Sequence, residues 1–273
     1  MQIERAQALG LVGSTQRATN SLSKILEKLA TGKRINRASD DAAGLSVSEQ
    51  MQSQIRGYQM ANVNLTYAQS AQNIAEGTGN EASSILQRQR ELALQASNGT
   101  LTDTDRATLN QEYQQIGQEL TRISDSSQFN NQSVANGTEL GAGNGQVQAG
   151  PNPGSELPIE GANYTAANVG TAPSDILTQA NASAAVSTLD TAIQNVSGQR
   201  TTIGANVNVM DYAYANNTSA AINTQDAESR IRDQDYAQGV MEETTKSLLS
   251  QTSMMALQNF NEVSRNNLMF LLK

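Results

Sequence analysis

Side chains that could carry chemistry are few in this 273-residue sequence, which contains neither His nor Cys. Disulfides, zinc sites built on imidazole or thiolate, and Ser-His-Asp or Cys-His catalysis are therefore excluded. Two carboxylate groups stand out, Asp40-Asp41 and Asp103-Thr104-Asp105. Neither has the spacing or the distal Glu of a calcium loop, so both are predicted to serve helix caps and turns. Carboxylate-only or lysine-based catalysis stays open on composition, but we predict no enzyme and no catalytic, cofactor-binding or metal-binding residues.

Composition favours thin helical packing over a thick globular core. Hydrophobic residues make up 37% of the chain, aromatic residues only 4%, and Trp is absent. Large cores usually depend on aromatic burial, whereas small side chains let helices approach each other closely. We therefore expect an elongated helical protein.

Charge and hydropathy exclude several partners. The net charge is −8, which argues against nucleic acid, because phosphate binding needs a basic face. No run of 18 apolar residues occurs, so no membrane span is expected. The opening residues, 1–5, lack a basic region followed by an apolar one, so a cleaved Sec signal peptide is not expected either.

Proline placement divides the chain into two flanks and a middle. All four prolines lie between Pro151 and Pro173. Because proline inside a helix costs about 3 kcal/mol, the proline-free flanks permit long helices. From about Gln132 the middle is rich in Gly, Asn, Pro and Ser, which predicts a small β-rich or irregular insert.

Apolar spacing in the flanks predicts a series of helices. Leu22, Ile25, Leu26 and Leu29 share one face, and Gly32 is placed to end their helix. Further helices are predicted over residues 42–77, 80–97 and 102–125, with a break at Gly77 and Gly79. Helical spacing returns from Val186 to the C-terminal end. The N-terminal apolar stripe must pair with the C-terminal stripe, with other copies of the chain, or with both.

The two ends pose a problem for a monomer. Residues 1–40 and 230–273 are narrowly amphipathic and far apart in sequence, so their pairing has a loop-closure cost with little aromatic area to offset it. We expect both segments to be frayed in the monomer and to order on polymerisation. Candidate polymerisation contacts are the apolar residues Leu22, Ile25, Leu26, Leu29, Leu248, Met255, Phe260, Leu268 and Leu271.

Four blocks of sequence resemble those of bacterial flagellins. They are Leu26 to Glu49, which contains Ser-Asp-Asp-Ala-Ala-Gly-Leu, then Leu86 to Thr100, Ser127 to Asn130, and Ala227 to Asp233. Their spacing also fits, and the resemblance covers roughly residues 1–130 and 180–273. The opening, Ile3 to Leu9, and the end, Phe260 to Lys273, depart from the family pattern, which leaves the innermost packing open.

The resemblance implies a fold and a division into parts. The implied fold is mainly α, a long antiparallel bundle or coiled coil of paired N- and C-terminal segments with a small β-hairpin region in the middle. Residues 1–41 and 229–273 would form inner core helices. Residues 42–180 and 181–228 would form an outer rod, with 131–180 as a reduced variable region.

The resemblance also implies function and partners. The chain would polymerise with itself into an extracellular flagellar filament that serves motility, after type III export with a chaperone, and would meet cap and junction proteins. A vertebrate innate immune receptor would contact Arg88, Leu92 and Glu112, although the plainer interpretation is two surface charges and a core leucine. Hydroxyl modification, common in the family, would fall on Ser133, Thr138, Ser155 or Thr165, all expected to be exposed. Three Asn-x-Thr sequences, at Asn98, Asn136 and Asn163, match the N-glycosylation pattern but are expected by chance.

Two other functions stay open at this point. A hook–filament junction protein shares the paired ends, but the absence of Pro after Asp41 favours a flagellin. A secreted helical adhesin or effector would act as a monomer. Polymerisation of the purified protein would separate these from a filament subunit.

Overall fold

The computed structural model describes residues 2–138, 145–171 and 175–271, with side chains described for residues 6–266 of these ranges and for Met269. The chain forms two compact units. Residues 1–53 and 223–273 make up what we call the terminal unit, and residues 54–222 make up the central unit. Both boundaries fall inside long helices. The predicted division at residues 41/42 and 228/229 stays a prediction.

Two long antiparallel helices form the frame of the central unit. Helix α2 spans Ala42–Ala96 and helix α5 spans Gln179–Arg232, so each extends from one unit into the other. Within the central unit, polar side chains link the two helices at several points along their length. These links join Arg90 to Asp190, Glu76 to Arg200, Gln69 to Asp211 and Asn62 to Thr218. Because the residue numbers of the partners increase on α5 as they decrease on α2, the two helices run in opposite directions.

Helix α3, Asp103–Ser126, folds back along α2 through a well-capped turn. Thr102 and Asp105 form a reciprocal capping box at its start. The buried Arg106 side chain donates to the carbonyl oxygens of Ala96 at 3.0 Å and Asn98 at 3.1 Å, which satisfies the end of α2. The predicted capping role is therefore confirmed for Asp105, while the Asp103 carboxylate pairs with Arg106.

Two short hairpins follow α3 in the middle of the chain. Strands β1, Gln128–Phe129, and β2, Gln132–Ser133, are antiparallel and joined by Asn130 and Asn131. Both asparagines have positive φ, 51° and 65°, as a type I′ hairpin turn requires. Strands β3, Gly145–Gln148, and β4, Glu156–Ile159, pair antiparallel with Val147 opposite Leu157. The one-turn helix α4, Ala166–Val169, comes next.

The core of the central unit lies between the helices and this middle segment. Small and branched side chains of the helices, such as Ala82, Leu86 and Leu189, are buried there. The segment between α3 and α5 contributes the rest, including the fully buried Tyr164. A second cluster packs hairpin residue Ile159 against Leu65, Ala68 and Met210.

Helix α2 runs without interruption through Gly77 and Gly79, so the predicted break there is wrong. Tertiary packing outweighs the propensity cost of about 1 kcal/mol for each glycine. Gly79 lies directly against Tyr164, because a Cβ at this position would lie 2.5 Å from the phenol oxygen. Gly79 is therefore needed for close approach rather than for a turn. Gly77 has open space around it.

The terminal unit contains helix α1, Gln2–Thr31, and helix α6, Tyr236–Leu271, with the adjoining ends of α2 and α5. Helices α1 and α6 pack against each other. The predicted mainly α architecture, with long helices and a small β-hairpin region, is confirmed. In the described part of the chain, no helix is both long and apolar enough to cross a membrane.

Candidate assembly surface

A compact corner joins the two chain ends in the terminal unit. Helix α1 ends at Gly32, whose φ of +68° is the left-handed value predicted for a helix stop. Its carbonyl oxygen accepts a bond of 3.0 Å from the backbone N–H of Gln234, and the N–H of Arg34 donates to Arg232 at 2.6 Å. The Arg34 side chain reaches the carbonyl oxygen of Ile231 rather than a carboxylate. Backbone bonds therefore fix the register of the two ends.

The Asp40–Asp41 pair belongs to the same corner and has turn and capping roles, as predicted. The Asp41 carboxylate accepts from the N–H of Gly44 at 2.9 Å, which caps the start of α2. The Asp40 carboxylate accepts from the N–H groups of Asn36 and Arg37. These two backbone hydrogen bonds hold the pKa of Asp40 below its ordinary value. No group of three or more possible metal-ligating side chains occurs among the described residues.

Helix α6 starts beside the end of α1 and runs back along it. The Tyr236 hydroxyl donates to the carbonyl oxygen of Leu29 at 2.6 Å. Gly239 faces the same leucine so closely that a Cβ would lie 2.7 Å from a Leu29 methyl carbon. The glycine lets the two helices approach closely at this contact, and they form an antiparallel pair.

The face that α6 turns towards α1 is mostly small and polar. Its less exposed positions alternate in steps of four and three residues, the spacing of a coiled-coil seam. They are Gly239, Glu243, Lys246, Ser250, Ser253, Leu257, Phe260 and Ser264, and Ser247 beside Lys246 is also half-buried. Opposite them on α1, Ala18 is the buried hydrophobic residue. Such a seam allows close approach, and its large apolar members on α6, Leu257 and Phe260, are only half-buried.

Many large apolar side chains of the terminal unit lie on its outside. Thirteen of those described are exposed, namely Leu9, Val12, Leu26, Val47, Tyr236, Val240, Met241, Leu248, Leu249, Met254, Met255, Val263 and Met269. On α6, Met241, Leu248, Met255 and Met269 share one position of a seven-residue repeat, which Glu262 interrupts. We call these four residues the outer stripe. A concentration of exposed apolar side chains such as these thirteen marks an interaction site.

The predicted polymerisation contacts divide between the inner and outer faces of the helix pair. Leu26, Leu248 and Met255 are exposed. Half-buried positions are Leu22, Ile25, Leu29 and Phe260. The side chains of Leu268 and Leu271 lie outside the described residues. The sequence interpretation missed Met241 and Met269, although their spacing of seven and fourteen residues from Leu248 and Met255 was a readable signal.

The residues implied as a receptor contact lie in the central unit and differ in exposure. Arg88 donates to Glu112 on α3 at 2.7 Å and to Glu91 at 3.0 Å, on the protein surface. The hydrogen bond to Glu112, followed by that to Glu91, raises the pKa of the Arg88 guanidinium. Leu92 is only 1% exposed and belongs to the core. The structure thus brings Arg88 and Glu112 together on the surface and places the Leu92 side chain beneath it.

The modification motifs mostly form turns. In each Asn-x-Thr sequence, the side-chain oxygen of Asn98, Asn136 or Asn163 accepts the backbone N–H of the Thr two residues later. This is an Asx turn, and it accounts for the pattern without a sugar. Of the hydroxyl candidates, Thr138 is exposed, Ser155 and Thr165 are half-buried, and Ser133 is buried. The expectation that Ser133 is exposed is therefore wrong, because its strand packs against the core.

Comparison with known proteins gives concordant matches along both flanks. The family model of the bacterial flagellin N-terminal helical region matches residues 5–139, and that of the bacterial flagellin C-terminal helical region matches residues 186–271. The chain is 42% identical to a flagellin of Halalkalibacterium halodurans over 89% of both chains. It is 35% identical to flagellin FlaB1 of Treponema pallidum, over 87% of this chain and 88% of the relative.

Solved structures agree with these matches. The crystal structure of Bacillus cereus flagellin is similar with a TM-score of 0.50 and 29% identity, over 57% of this chain and 88% of that one. A flagellar hook-associated protein from Vibrio parahaemolyticus has a TM-score of 0.54 at 19% identity, over 71% of this chain and 100% of that one, which shows a shared fold alone. The junction-protein and adhesin alternatives are not favoured by these matches. The chain belongs to the bacterial flagellin family and is a structural subunit of the flagellar filament, not an enzyme.

Proposed function

We propose that the outside of the α1–α6 pair is the surface through which copies of this chain contact one another in the filament. The observation that carries the proposal is the set of exposed large apolar side chains on these two helices. Water contact with so many apolar groups is unfavourable, and a second copy of the same chain would remove it. The surface therefore fits a subunit whose fold is completed by assembly.

The energetic argument rests on area rather than on charge. Complete burial of one Leu or Met side chain is worth about 1.5–3 kcal/mol. Several such residues on the outer stripe can offset the loss of translational freedom that accompanies association. Exposed ion pairs, worth about 0–1 kcal/mol each, contribute specificity at most.

The geometry also favours an open polymer over a closed dimer. Leu9 and Val12 on α1 and the outer stripe on α6 are different surfaces, both without cover in the single chain. A contact between two different surfaces is heterologous, and a heterologous contact that does not close generates a helical filament. A filament subunit needs this type of contact.

Paired charge substitutions on α6 test the proposal. In the first variant, Leu248→Asp and Met255→Asp place two charges on the outer stripe. In the matched control, Gln251→Asp and Gln258→Asp place the same two charges at exposed positions of the same helix, also seven residues apart. Because Leu, Met and Gln have nearly equal helix propensities, the two variants differ mainly in the apolar surface that they remove.

The measurement is salt-induced polymerisation of the purified subunit, followed by sedimentation and electron microscopy. We expect the outer-stripe variant to stay monomeric with a wild-type circular dichroism spectrum, and the control to form filaments. Filaments of normal yield from the outer-stripe variant would show that this surface is not an assembly contact.

We also propose an extracellular location in the flagellum, reached through the flagellar export machinery with a chaperone, with cap and junction proteins at the filament ends. The family membership of the chain supports this proposal. Antibody labelling of intact cells checks the location, since an extracellular filament stains without permeabilisation. Staining that appears only after permeabilisation would contradict it.

Recognition by a vertebrate innate immune receptor is a further proposal, supported by the exposed Arg88–Glu112 pair. The buried Leu92 would act by holding α2 in place rather than by contact. A receptor reporter assay on monomeric Arg88→Ala checks this. The matched control is Arg122→Ala, which breaks an exposed pair with Glu119 on α3. Equal responses to wild type and Arg88→Ala would end the proposal.

A further inference from the structure

The methionines of α6 form an unusual concentration of accessible sulfur. The chain has eight Met and no Cys, so thioethers are its entire sulfur chemistry. Four of the eight, Met241, Met254, Met255 and Met269, are exposed on α6. We propose that these four residues are an oxidative modification site, and that their oxidation to sulfoxides prevents the free subunit from assembling. This inference rests on the proposed assembly function of the α6 surface.

The exposure of these side chains makes them reactive in the monomer. Met241 is 65% exposed and Met255 is 59% exposed, so a small oxidant in water reaches their sulfur atoms directly. The chain also contains two internal references. Met60, on α2 in the central unit, is equally exposed at 59%, whereas Met210 is fully buried.

The chemistry needs one co-reactant, hydrogen peroxide. The thioether sulfur attacks one peroxide oxygen, a sulfur–oxygen bond forms, and the oxygen–oxygen bond breaks. The second oxygen leaves as hydroxide, and it becomes water when it takes the proton from the oxygen now bound to sulfur. Sulfur loses two electrons and peroxide gains them, so one thioether and one peroxide give one sulfoxide and one water. No side chain has to change its protonation state.

The product changes the surface in the direction that matters for assembly. A sulfoxide is polar and accepts hydrogen bonds from water, so burying it against another copy is unfavourable. Three of the four methionines belong to the outer stripe, and Met254 lies next to Met255. Because the seam with α1 is formed by other residues of α6, oxidation leaves the helix pair within one subunit intact.

Assembly and oxidation therefore oppose each other. In the free subunit the four thioethers are open to solvent, whereas in the filament the same side chains are covered by neighbouring copies. Filaments formed before exposure to peroxide should be protected, and oxidised subunits should not join them. The modified state is reversible in principle, because sulfoxide reductases return the thioether.

The decisive experiment compares three purified full-length proteins before and after peroxide treatment. They are the wild type, a variant with all four α6 methionines changed to Leu, and a Met51→Leu, Met60→Leu variant. This last variant changes the two methionines of α2 and keeps those of α6. Leucine preserves the apolar surface but cannot be oxidised. Mass spectrometry locates the sulfoxides, and sedimentation gives the critical concentration for polymerisation.

We expect peroxide to raise the critical concentration of the wild type and of the Met51→Leu, Met60→Leu variant by about tenfold or more, as loss of one buried apolar side chain predicts. The α6 leucine variant should be unaffected, and methionine sulfoxide reductase should restore the wild type. In preformed filaments Met60 should oxidise while the four α6 methionines stay reduced. Normal assembly of wild-type subunits oxidised at all four sites would overturn the inference, as would oxidation of these sites inside filaments at the monomer rate.

The failure of this inference is distinguishable from failure of the proposed function. If the Leu248→Asp, Met255→Asp variant assembles normally, the surface itself is not an assembly contact. If that variant fails to assemble but the oxidised wild type assembles normally, the surface stands and the redox inference falls.

Discussion

The central and terminal units are built from similar long helices but treat their apolar side chains in opposite ways. Among the described residues, Ala18 and Ile35 are the buried hydrophobic residues of the terminal unit, while the other members of the buried set belong to the central unit. Of the side chains that the structure describes, the terminal unit exposes thirteen large apolar ones within its 104 residues, whereas the central unit exposes ten within its 169. The difference indicates that the central unit forms a complete core within one chain, whereas the terminal unit is completed by neighbouring copies.

The two units differ in apolar exposure because they differ in the number of packed layers of secondary structure. A single amphipathic helix pair can cover only the stripe along which the helices touch. In the central unit, helix α3 and the segment after it provide further cover for α2 and α5, with Val134, Tyr164 and Val169 in the core. In the terminal unit α1 packs on α6, and their outer faces stay exposed.

Amide hydrogen exchange should show the largest contrast between the units. Amides of α2 and α5 around Leu86 and Leu189 should exchange only through opening of the central core. Amides of α1 and α6 should exchange orders of magnitude faster in the monomer, because local fraying there exposes little new apolar surface. In the polymer both sets should be slow. Slow exchange of α1 and α6 in the monomer would break the comparison, since it would mean that the terminal unit is stable alone.

Two matched leucine truncations, one in each unit, should sharpen the comparison between the central and terminal units. Leu86→Ala removes a fully buried side chain in the central unit and should lower the free energy of unfolding by about 2–5 kcal/mol. Leu248→Ala removes one that is 62% exposed on α6 and should change the monomer's stability by no more than about 0.5 kcal/mol.

Urea unfolding followed by circular dichroism measures both leucine variants. Only the α6 variant should show weakened polymerisation at full monomer stability. A loss of monomer stability from Leu248→Ala as large as that from Leu86→Ala would mean that the exposed surface already stabilises the single chain.

Two glycine substitutions two residues apart on α2 test how closely the central unit is packed. Gly79→Ala should destabilise it by about 1–3 kcal/mol, because the new methyl group would displace the buried Tyr164 ring and overpacking has this cost. Gly77→Ala has open space and should stabilise the helix by about 0.5–1 kcal/mol. Opposite signs in urea unfolding are expected. Equal stabilisation by both would show that the core can yield at Tyr164.

The same glycines show where sequence reasoning reached its limit. Apolar spacing predicted the helical stretches, because a period of 3.6 residues is a local property. Gly77 and Gly79 predicted a break, because propensity is local too. In the folded chain Gly79 lies against Tyr164, more than eighty residues later, and no local pattern contains that contact.

The candidate surface was predictable in part for a related reason. The stripe residues Leu248 and Met255 were identified from helical spacing, but spacing alone does not say which apolar stripe faces the partner helix. In α6 the small and polar seam around Gly239 and Ser250 faces inward, because close approach to α1 requires small side chains. Because apolar residues normally lie inside, helical spacing predicts that the apolar stripe of α6 faces α1. The packed helix pair shows instead that this stripe faces away from α1.

Acid titration should show the smallest contrast, between one carboxylate in each unit. The Thr102 hydroxyl, followed by the Thr102 backbone N–H, lowers the pKa of Asp105 in the central unit, and backbone N–H groups of Asn36 and Arg37 lower that of Asp40 in the terminal unit. A carboxylate with a lowered folded pKa stabilises the fold above its ordinary pKa of about 3.9, and the contribution is lost as the pH falls through the folded value.

Substituting each aspartate in turn tests whether the pH dependence of unfolding differs between the two units. Asp105→Asn should flatten the fall in the central unit's urea midpoint between about pH 5 and pH 2, by a small amount because the pair is exposed to solvent. Asp40→Asn should leave that midpoint's pH dependence unchanged, because Asp40 acts in the terminal unit, whose ordering contributes little to the monomer's main unfolding transition. An equal flattening by Asp40→Asn would mean that both units unfold together in the monomer, and the distinction between a self-sufficient unit and one completed by assembly would have to be given up.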